Sequence, residues 1–189
     1  MSRAYRITVS ESLSRALRAE DSVGTRLELL EVLPPEQMAE LLRRELSERG
    51  FEDQDGKLVR RDGGVTATVD PQTGDVTMRS ESEREVELEA TREGLAYDDV
   101  GPGEKNLKKT LQRQLQSDLE KQAEHEQGKL QSEATKQLEG HLADLQKELN
   151  QAVNRVTAEA LKRKAAQLGR VKEMTEDPQT GSLTITVEV

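Results

Sequence analysis

The most unusual chemical feature of the sequence is a row of carboxylates at alternate positions. The row consists of Glu81, Glu83, Glu85, Glu87 and Glu89. On a β-strand, alternate side chains point to one face about 7 Å apart, so all five carboxylates would share a face. The row could dock a basic partner or bind a hard cation such as Ca²⁺, or it could be a solvated face whose like charges prevent edge-to-edge aggregation. The backbone and amide ligands of a Ca²⁺ site are missing, which favours the solvated face and the docking surface.

A cluster of cations in the second half of the chain is the counterpart of this row. It consists of Arg155, Lys162, Arg163, Lys164, Arg170 and Lys172, and only Glu159 opposes it. Cations in the last turns of a helix stabilise the helix dipole without any ligand. Two functional alternatives remain: pairing with the glutamate row, within the chain or between subunits, and nucleic-acid binding by the helix end at 155–172. No aromatic residue interleaves with the cations, so base stacking is not indicated.

The two histidines, His125 and His141, could in principle carry chemistry. Neither has a second histidine three or four positions away, as a helical metal site would show. His141 could be oriented by Asp144 or Glu148, but no Ser or Thr nucleophile accompanies it in a motif. We therefore expect both histidines to face solvent. Phosphate-binding glycine loops, nucleophile elbows and zinc-protease motifs are also missing, so we expect no enzyme, no cofactor and no metal site.

Composition excludes several further classes of function. The 189 residues include 28 Lys and Arg, 37 Asp and Glu, and no Cys. Without cysteine there are no disulfides, thiolate metal sites or cysteine nucleophiles. The net charge of −9 argues against binding of a phosphate backbone by the chain as a whole. The acidic excess lies in residues 1–100, while residues 101–189 are balanced.

The N-terminal sequence MSRAYRITVSESLSR has no apolar segment of a secretory signal. No run of 18 apolar residues occurs, so a transmembrane helix is not expected. We expect a cytoplasmic protein.

In the first half, short elements must position the glutamate row. Alternation at Tyr5–Val9 predicts a strand, residues 11–20 fit either a helix or a strand, and Thr25–Leu30 predicts another strand. Pro35 starts a predicted helix that ends at Gly50. Three strands are then predicted as an antiparallel meander: Lys57–Arg61, Gly64–Val69 and Asp75–Ala90.

In the second half, leucines at helical spacing predict one long helical segment from Glu104 to Leu168. Its apolar stripe is narrow, so we expect a facing helix from the same chain or from a partner to cover it. Gly128 or Gly140 could be the tip of a helical hairpin, which is the favoured interpretation. The alternative is an unbroken helix of about 100 Å.

An internal repeat marks the C-terminus. The sequence DPQTG occurs at 70–74 and again at 177–181, each time followed by alternating residues. The second occurrence predicts a hairpin that joins or mirrors the first sheet. This arrangement requires the helical segment to double back, or two chains to pair antiparallel.

These elements predict an α+β fold class: an antiparallel β-meander with one short helix, a long helical hairpin or coiled coil, and a C-terminal β-hairpin. The predicted domains are an α+β sheet domain at 1–93, a linker at 94–103, a helical segment at 104–170 and a hairpin at 171–189.

Two segments resemble known families. The run RITVSESLSR, followed by LELLEVLPPEQMAELLRRELSERGFE, resembles small bacterial proteins predicted to be accessory components of ternary conflict systems. Those systems are built around FtsH-like AAA+ ATPases, von Willebrand A domains and MoxR-type ATPases. The ending LGRVKEMTEDPQTGSLTITVEV is similar to the terminus of a small cyanobacterial and plastid family. The first resemblance implies an accessory protein or adaptor that acts beside an AAA+ ATPase.

The sequence therefore favours a non-enzymatic adaptor whose partner is another protein, such as an AAA+ ATPase, or a second copy bound through the helical seam. The candidate docking residues are the five glutamates together with Arg155, Lys162, Arg163 and Lys164. The alternative function is a nucleic-acid-binding module that uses residues 155–172.

Overall fold

The computed structural model describes residues 4–97, 103–176 and 183–188. In chain order the elements are β1 (Ala4–Arg26), α1 (Pro35–Glu48), β2 (Glu52–Gln54), β3 (Lys57–Asp62), β4 (Val65–Val69), β5 (Asp75–Tyr97), α2 (Glu104–Leu168), β6 (Arg170–Glu176) and β7 (Leu183–Glu188). The first five strands form one sheet in the order β1-β5-β4-β3-β2, and β6 pairs with β7. The predicted α+β class, with a meander, a short helix, a long helix and a C-terminal hairpin, is confirmed.

The long helix α2 is a single helix of 65 residues with the bounds that its periodicity predicts. Gly128 and Gly140 both lie inside it, and a Cβ added at either position would have no neighbour within 4 Å. Each glycine therefore costs only its helix propensity, about 1 kcal/mol. The favoured helical hairpin was wrong, and the unbroken helix is the structure that the chain adopts.

The short helix α1 begins and ends as its signals predict. Pro35 occupies the start of the helix, and Gly50 follows its end with a φ of 82°, in the left-handed region that favours glycine. The apolar stripe is buried and consists of Met38, Ala39, Leu41, Leu42 and Leu46.

The strands differ from the prediction at three places. Residues 11–20, which fit a helix or a strand, lie in β1, and of the strand predicted at Thr25–Leu30 only the first two residues belong to it. The three-residue strand β2 has no sequence signal and was missed. Strand β5 continues to Tyr97. Residues 98–102 of the predicted linker lie outside the described residues.

Contacts between Cα atoms divide the chain into two compact units. The first unit contains Met1–Glu20 and Glu81–Thr135, and the second contains Asp21–Ser80 and Lys136–Val189.

The core of the first unit lies between the helix and a ribbon of the two long strands. One cluster contains Val9, Leu111 and Leu115, and another contains Leu17, Val86 and Leu130 with smaller neighbours. The helical stripe is thus covered by strands of the same chain. This corrects the expectation of a facing helix: the inward side chains of two adjacent strands form a strip about as wide as the stripe itself.

The core of the second unit lies between the meander and the two helices. It includes Leu42 and Leu46 of α1, Leu58 and Val69 of the sheet, and Leu145, Leu149 and Val156 of α2. In this unit α1 lies in the same apolar cluster as α2, so part of the stripe does meet a second helix of the same chain.

In the sequence, each copy of DPQTG lies between the two strands of a hairpin. The two hairpins have equivalent registers. In β4 and β5, Ala67 lies opposite Met78 and Thr68 opposite Thr77. The equivalent positions of β6 and β7 pair in the same way, with Met174 opposite Ile185 and Thr175 opposite Thr184. The second turn itself, at 177–182, lies outside the described residues. The repeat therefore encodes the same hairpin register twice.

Candidate functional site

The outward face of the ribbon in the first unit carries the glutamate row. Along β5 the even-numbered Val86, Leu88 and Ala90 turn toward the helix, while all five odd-numbered glutamates are exposed. Hydrophobic burial on the even side thus fixes the direction of the carboxylates, because alternate residues of a strand point to opposite faces.

Two side-chain contacts show which residues of β1 lie beside the row. Ser10 and Thr91 share a hydrogen bond of 3.0 Å between their hydroxyls, and Arg18 Nε donates to Glu83 Oε1 at 3.0 Å. The two contacts are eight residues apart on β1 and eight residues apart on β5, and the residue numbers rise on β1 as they fall on β5, as in an antiparallel pair. The exposed residues between them on β1 therefore lie opposite Glu89, Glu87 and Glu85, and they are Ser12, Ser14 and Ala16.

Ion pairs neutralise the ends of this surface but not its centre. Arg18 pairs with Glu83, and Arg6 approaches Glu93 at 3.6 Å. Within the described residues, no cation lies within 4.0 Å of Glu85, Glu87 or Glu89. We call these three glutamates and the small residues opposite them, Ser12, Ser14 and Ala16, the acidic face. Its carboxylates lie beside short side chains and are open to a partner.

Ion pairs and hydrogen bonds join the ribbon to the helix beneath it. Arg84 bonds Glu133 at 2.7 Å, and Arg92 bonds Asp118 at 2.7 Å. Gln127 and Gln131 of α2 donate their amides to the carbonyls of Arg18 and Glu20, at 2.6 and 2.9 Å. These two glutamines occupy the outer edge of β1 with hydrogen bonds, which limits unwanted pairing with another strand. The i, i+4 spacing of the glutamines was the available signal, and it was missed.

The basic cluster belongs to the second unit, where carboxylates of that unit engage several of its members. Arg155 lies 3.5 Å from Glu45, and Arg163 lies 3.5 Å from Glu159 on the preceding turn. Lys172 pairs with Glu188 at 2.9 Å across the C-terminal hairpin. Lys164 and Arg170 are exposed, and Lys162 is half-buried. The cluster therefore presents less free positive charge than its sequence indicates.

The two histidines differ in their surroundings. His125 is exposed, as expected. His141 is half-buried: its Nδ1 lies 2.9 Å from the Gln137 carbonyl, and its ring packs on Gly63. The expectation that it faces solvent holds only in part, because the β3–β4 turn has two glycines and leaves room for one side of the ring.

His141 lines a cleft of about 320 Å³ that also contains Arg60, Asp62, Asp144 and Glu148. Arg60 donates two hydrogen bonds of 2.8 Å to the Glu148 carboxylate. These bonds lower the pKa of Glu148 and raise the pKa of Arg60. The guanidinium also lies 4.7 Å from the centre of the Phe51 ring. Arg60 and Glu148 thus neutralise each other in an ion pair that joins β3 to α2, and we call this ion pair the lock.

Clusters that could hold a metal ion and helices that could span a membrane are both missing from the described residues. These residues contain no group of three or more His, Asp and Glu side chains placed to hold a metal ion. Within the same residues, neither helix combines the length and the apolar character that crossing a bilayer requires.

Comparison with known proteins gives one match. The model of the family FtsH ternary system domain X5 matches residues 1–189, the whole chain. No curated protein and no solved structure matches. The predicted relation to FtsH-linked ternary systems is confirmed, and the chain belongs to the family of FtsH ternary system domain X5.

Proposed function

We propose that the protein is a cytoplasmic, non-enzymatic adaptor that binds an FtsH-like AAA+ ATPase through its acidic face. The family supports the link to an FtsH system. The observation that carries the docking role is the row of three exposed carboxylates, Glu85, Glu87 and Glu89, with no cation close to them among the described residues.

The physical argument is one of complementary charge. Like charges at about 7 Å spacing repel one another, so a partner that brings lysines or arginines relieves this repulsion as it binds. Opposite the carboxylates, Ser12, Ser14 and Ala16 are too short to block the approach of a long cationic side chain. The ion pairs that hold the ribbon to α2 keep the carboxylates in place before binding, which reduces the ordering cost of association.

The helical seam is not the docking surface in this proposal. Its leucines, such as Leu115 and Leu130, are buried by strands of the same chain. A partner could reach them only by displacing the ribbon. The outward face of that ribbon is accessible without any such rearrangement.

The test is binding of the full chain to the purified FtsH-like ATPase of the same host, measured by biolayer interferometry at two salt concentrations. The variant carries Glu85→Gln, Glu87→Gln and Glu89→Gln. The matched control carries Glu104→Gln, Glu120→Gln and Glu124→Gln, which removes the same charge from exposed positions of α2.

We expect the variant to weaken binding by about tenfold or more and the control by less than about twofold, with wild-type affinity falling as salt rises. An equal loss in both triple variants would show that net charge, not the acidic face, drives the interaction. Absence of binding by the wild-type chain would contradict the proposed partner.

The alternative, nucleic-acid binding through residues 155–172, has less support because Arg155, Arg163 and Lys172 pair with carboxylates. It predicts salt-dependent binding of duplex DNA or RNA that is lost when Lys162, Arg163 and Lys164 are replaced by alanine. That result would favour the alternative over the adaptor.

A further inference from the structure

The C-terminal hairpin has an apolar face that the described residues of its own chain leave open. Val171 lies opposite Val187, and Met174 lies opposite Ile185, so these four side chains share one face. None of the four is buried, and Met174 is 41% exposed. The other face carries Glu173, Thr175, Thr184 and Thr186. An isolated two-stranded hairpin is marginally stable in water, so this apolar face calls for a covering surface.

The second unit also contains a groove along the edge of its sheet, lined by both apolar and polar side chains. The groove has a volume of about 710 Å³ and lies between residues 23–28 of β1 and the middle of α2. Strand β1 is the outermost strand of its sheet. Leu142 and Val153 at the floor of the groove are only half-buried, and Val23 is 37% exposed. We call this feature the edge groove.

Side-chain amides of α2 lie along the edge groove with the same spacing as those that bond β1 in the first unit. Those along the edge groove have no partner strand to bond. In the first unit, Gln127 and Gln131 bond the carbonyls of β1. Within the described residues, Gln146, Asn150 and Asn154, also four residues apart, line the edge groove, and their exposed side chains make no hydrogen bond to another protein group. Amides at this spacing could bond the backbone of a strand laid in the groove.

The internal repeat indicates what kind of surface the hairpin fits. Its equivalent, β4 with β5, buries Ala67 and Met78 in a cluster that contains Leu145 and Leu149 of α2. The floor of the edge groove is formed by the same stretch of α2, from Leu142 to Val153. Because the C-terminal hairpin has the same register, its apolar face could pack on this stretch of α2, beside β1.

We infer that the C-terminal hairpin of one copy occupies the edge groove of a second copy, so that the protein forms a twofold dimer. Because α2 is continuous, the chain does not double back at Gly128 or Gly140 to bring its hairpin to its own sheet. From Asn154, α2 continues for about 14 residues, or about 21 Å, to its end at Leu168, just before the hairpin. Two such helices crossing antiparallel near Thr157–Leu161 place each hairpin at the groove of the other copy.

The buried area and the charges both favour a second copy as the occupant. Each copy contributes one hairpin and one groove, so a twofold dimer forms the contact twice and buries twice the area of a single hairpin–groove contact. Arg26 at the groove already pairs with Asp75 of its own chain at 3.6 Å, so an apolar occupant does not remove the partner of this cation.

The first experiment measures the mass of the full chain by light scattering and analytical ultracentrifugation across a concentration series. Ile185→Asp tests the hairpin, with Thr186→Asp on the opposite face as its control. Val153→Asp tests the groove, with the exposed Gln151→Asp as its control. We expect the wild-type chain to dimerise at micromolar concentration, each test variant to raise the dissociation constant at least about 100-fold, and each control to change it less than about threefold.

A wild-type chain that stays monomeric at about 200 µM, or a dimer that Ile185→Asp leaves unchanged, would overturn the inference. Circular dichroism of each variant verifies that the helix content is retained. The inference does not depend on the proposed ATPase partner, since mass is measured on the purified chain alone.

A second experiment uses the absence of cysteine from the sequence. Chains carrying Asn154→Cys and chains carrying Val187→Cys are mixed and oxidised. We expect disulfides mainly between an Asn154→Cys chain and a Val187→Cys chain. Disulfides that form mainly between identical chains would contradict it.

Discussion

The hairpin β4/β5 and the hairpin β6/β7 have the same register, but only the first is buried. Met78 is 3% exposed in the core of the second unit, whereas the equivalent Ile185 is half-buried. Both hairpins alternate apolar and polar residues. The comparison shows that local sequence determines the register of a hairpin, while its burial depends on which other element is available to cover it.

The two hairpins also differ in the contacts that connect them to the rest of the chain. The turn after β4 is held by the hydrogen bond from Leu27 N to Gly74 O at 2.8 Å, and strand β3 next to it is locked to α2 by Arg60 and Glu148. The ion pair in the second hairpin, Lys172 with Glu188, lies within the hairpin, and both side chains are more than half exposed. We therefore expect substitutions in the first hairpin to affect stability and substitutions in the second to affect association.

The largest difference is expected between Met78→Ala and Ile185→Ala. Met78→Ala removes a buried side chain from the core of the second unit and should lower the free energy of unfolding by about 2–4 kcal/mol. At low protein concentration, Ile185→Ala should change it by less than about 1 kcal/mol, because the side chain is already partly in water. Urea denaturation of both variants measures these values. Equal losses would show that the second hairpin is covered within its own chain.

The turn of the first hairpin should be sensitive to a single methyl group. Gly74 has a φ of 77°, and a Cβ there would lie 3.0 Å from the Leu27 carbonyl oxygen. Gly74→Ala should therefore cost about 1–3 kcal/mol in thermal or chemical denaturation. The control is Gly140→Ala in α2, where nothing lies within 4 Å, and it should stabilise the protein by up to about 1 kcal/mol. A neutral Gly74→Ala would mean that the turn is not anchored at Leu27.

The smallest expected effect is the pH dependence of the lock on β3. The pKa of Glu148 is below its ordinary value because Arg60 bonds the carboxylate. Its stabilising contribution should therefore be complete above the unfolded-state pKa of about 4.3 and decline as the pH falls through the lower folded-state pKa. Glu148→Gln should cost about 1 kcal/mol at pH 7 and progressively less in acid.

Lys172→Ala serves as the matched substitution in the second hairpin. It removes an exposed ion pair and should change the free energy of unfolding by less than about 0.5 kcal/mol. A cost for Glu148→Gln that stays constant down to pH 3 would contradict the account of the lock.

Much of the fold follows from periodicity in the sequence. Leucines at helical spacing between Leu107 and Leu168 predicted the extent of α2 but not its continuity through Gly128 and Gly140, and DPQTG predicted both hairpins. Period-two alternation also predicted that Glu85, Glu87 and Glu89 share an exposed face. These features are readable because neighbouring residues determine them.

The features that depend on distant contacts were not predicted. A narrow stripe on α2 does not reveal whether a helix or a two-stranded ribbon covers it, since both bury a strip of similar width. Arg18 and Glu83 are 65 residues apart in the sequence, and their pairing depends on the register between β1 and β5. The packing of His141 on Gly63 likewise needs the helix to meet a turn that lies far away in the sequence.

The most direct test of the comparison between the hairpins is amide hydrogen exchange of the full chain, followed by mass spectrometry at two protein concentrations. The account predicts that residues 65–80 exchange slowly at both concentrations. Residues 170–176 and 183–188 should exchange quickly in dilute solution and become protected as the concentration rises. Protection of the second hairpin that equals that of the first and is independent of concentration would contradict the account.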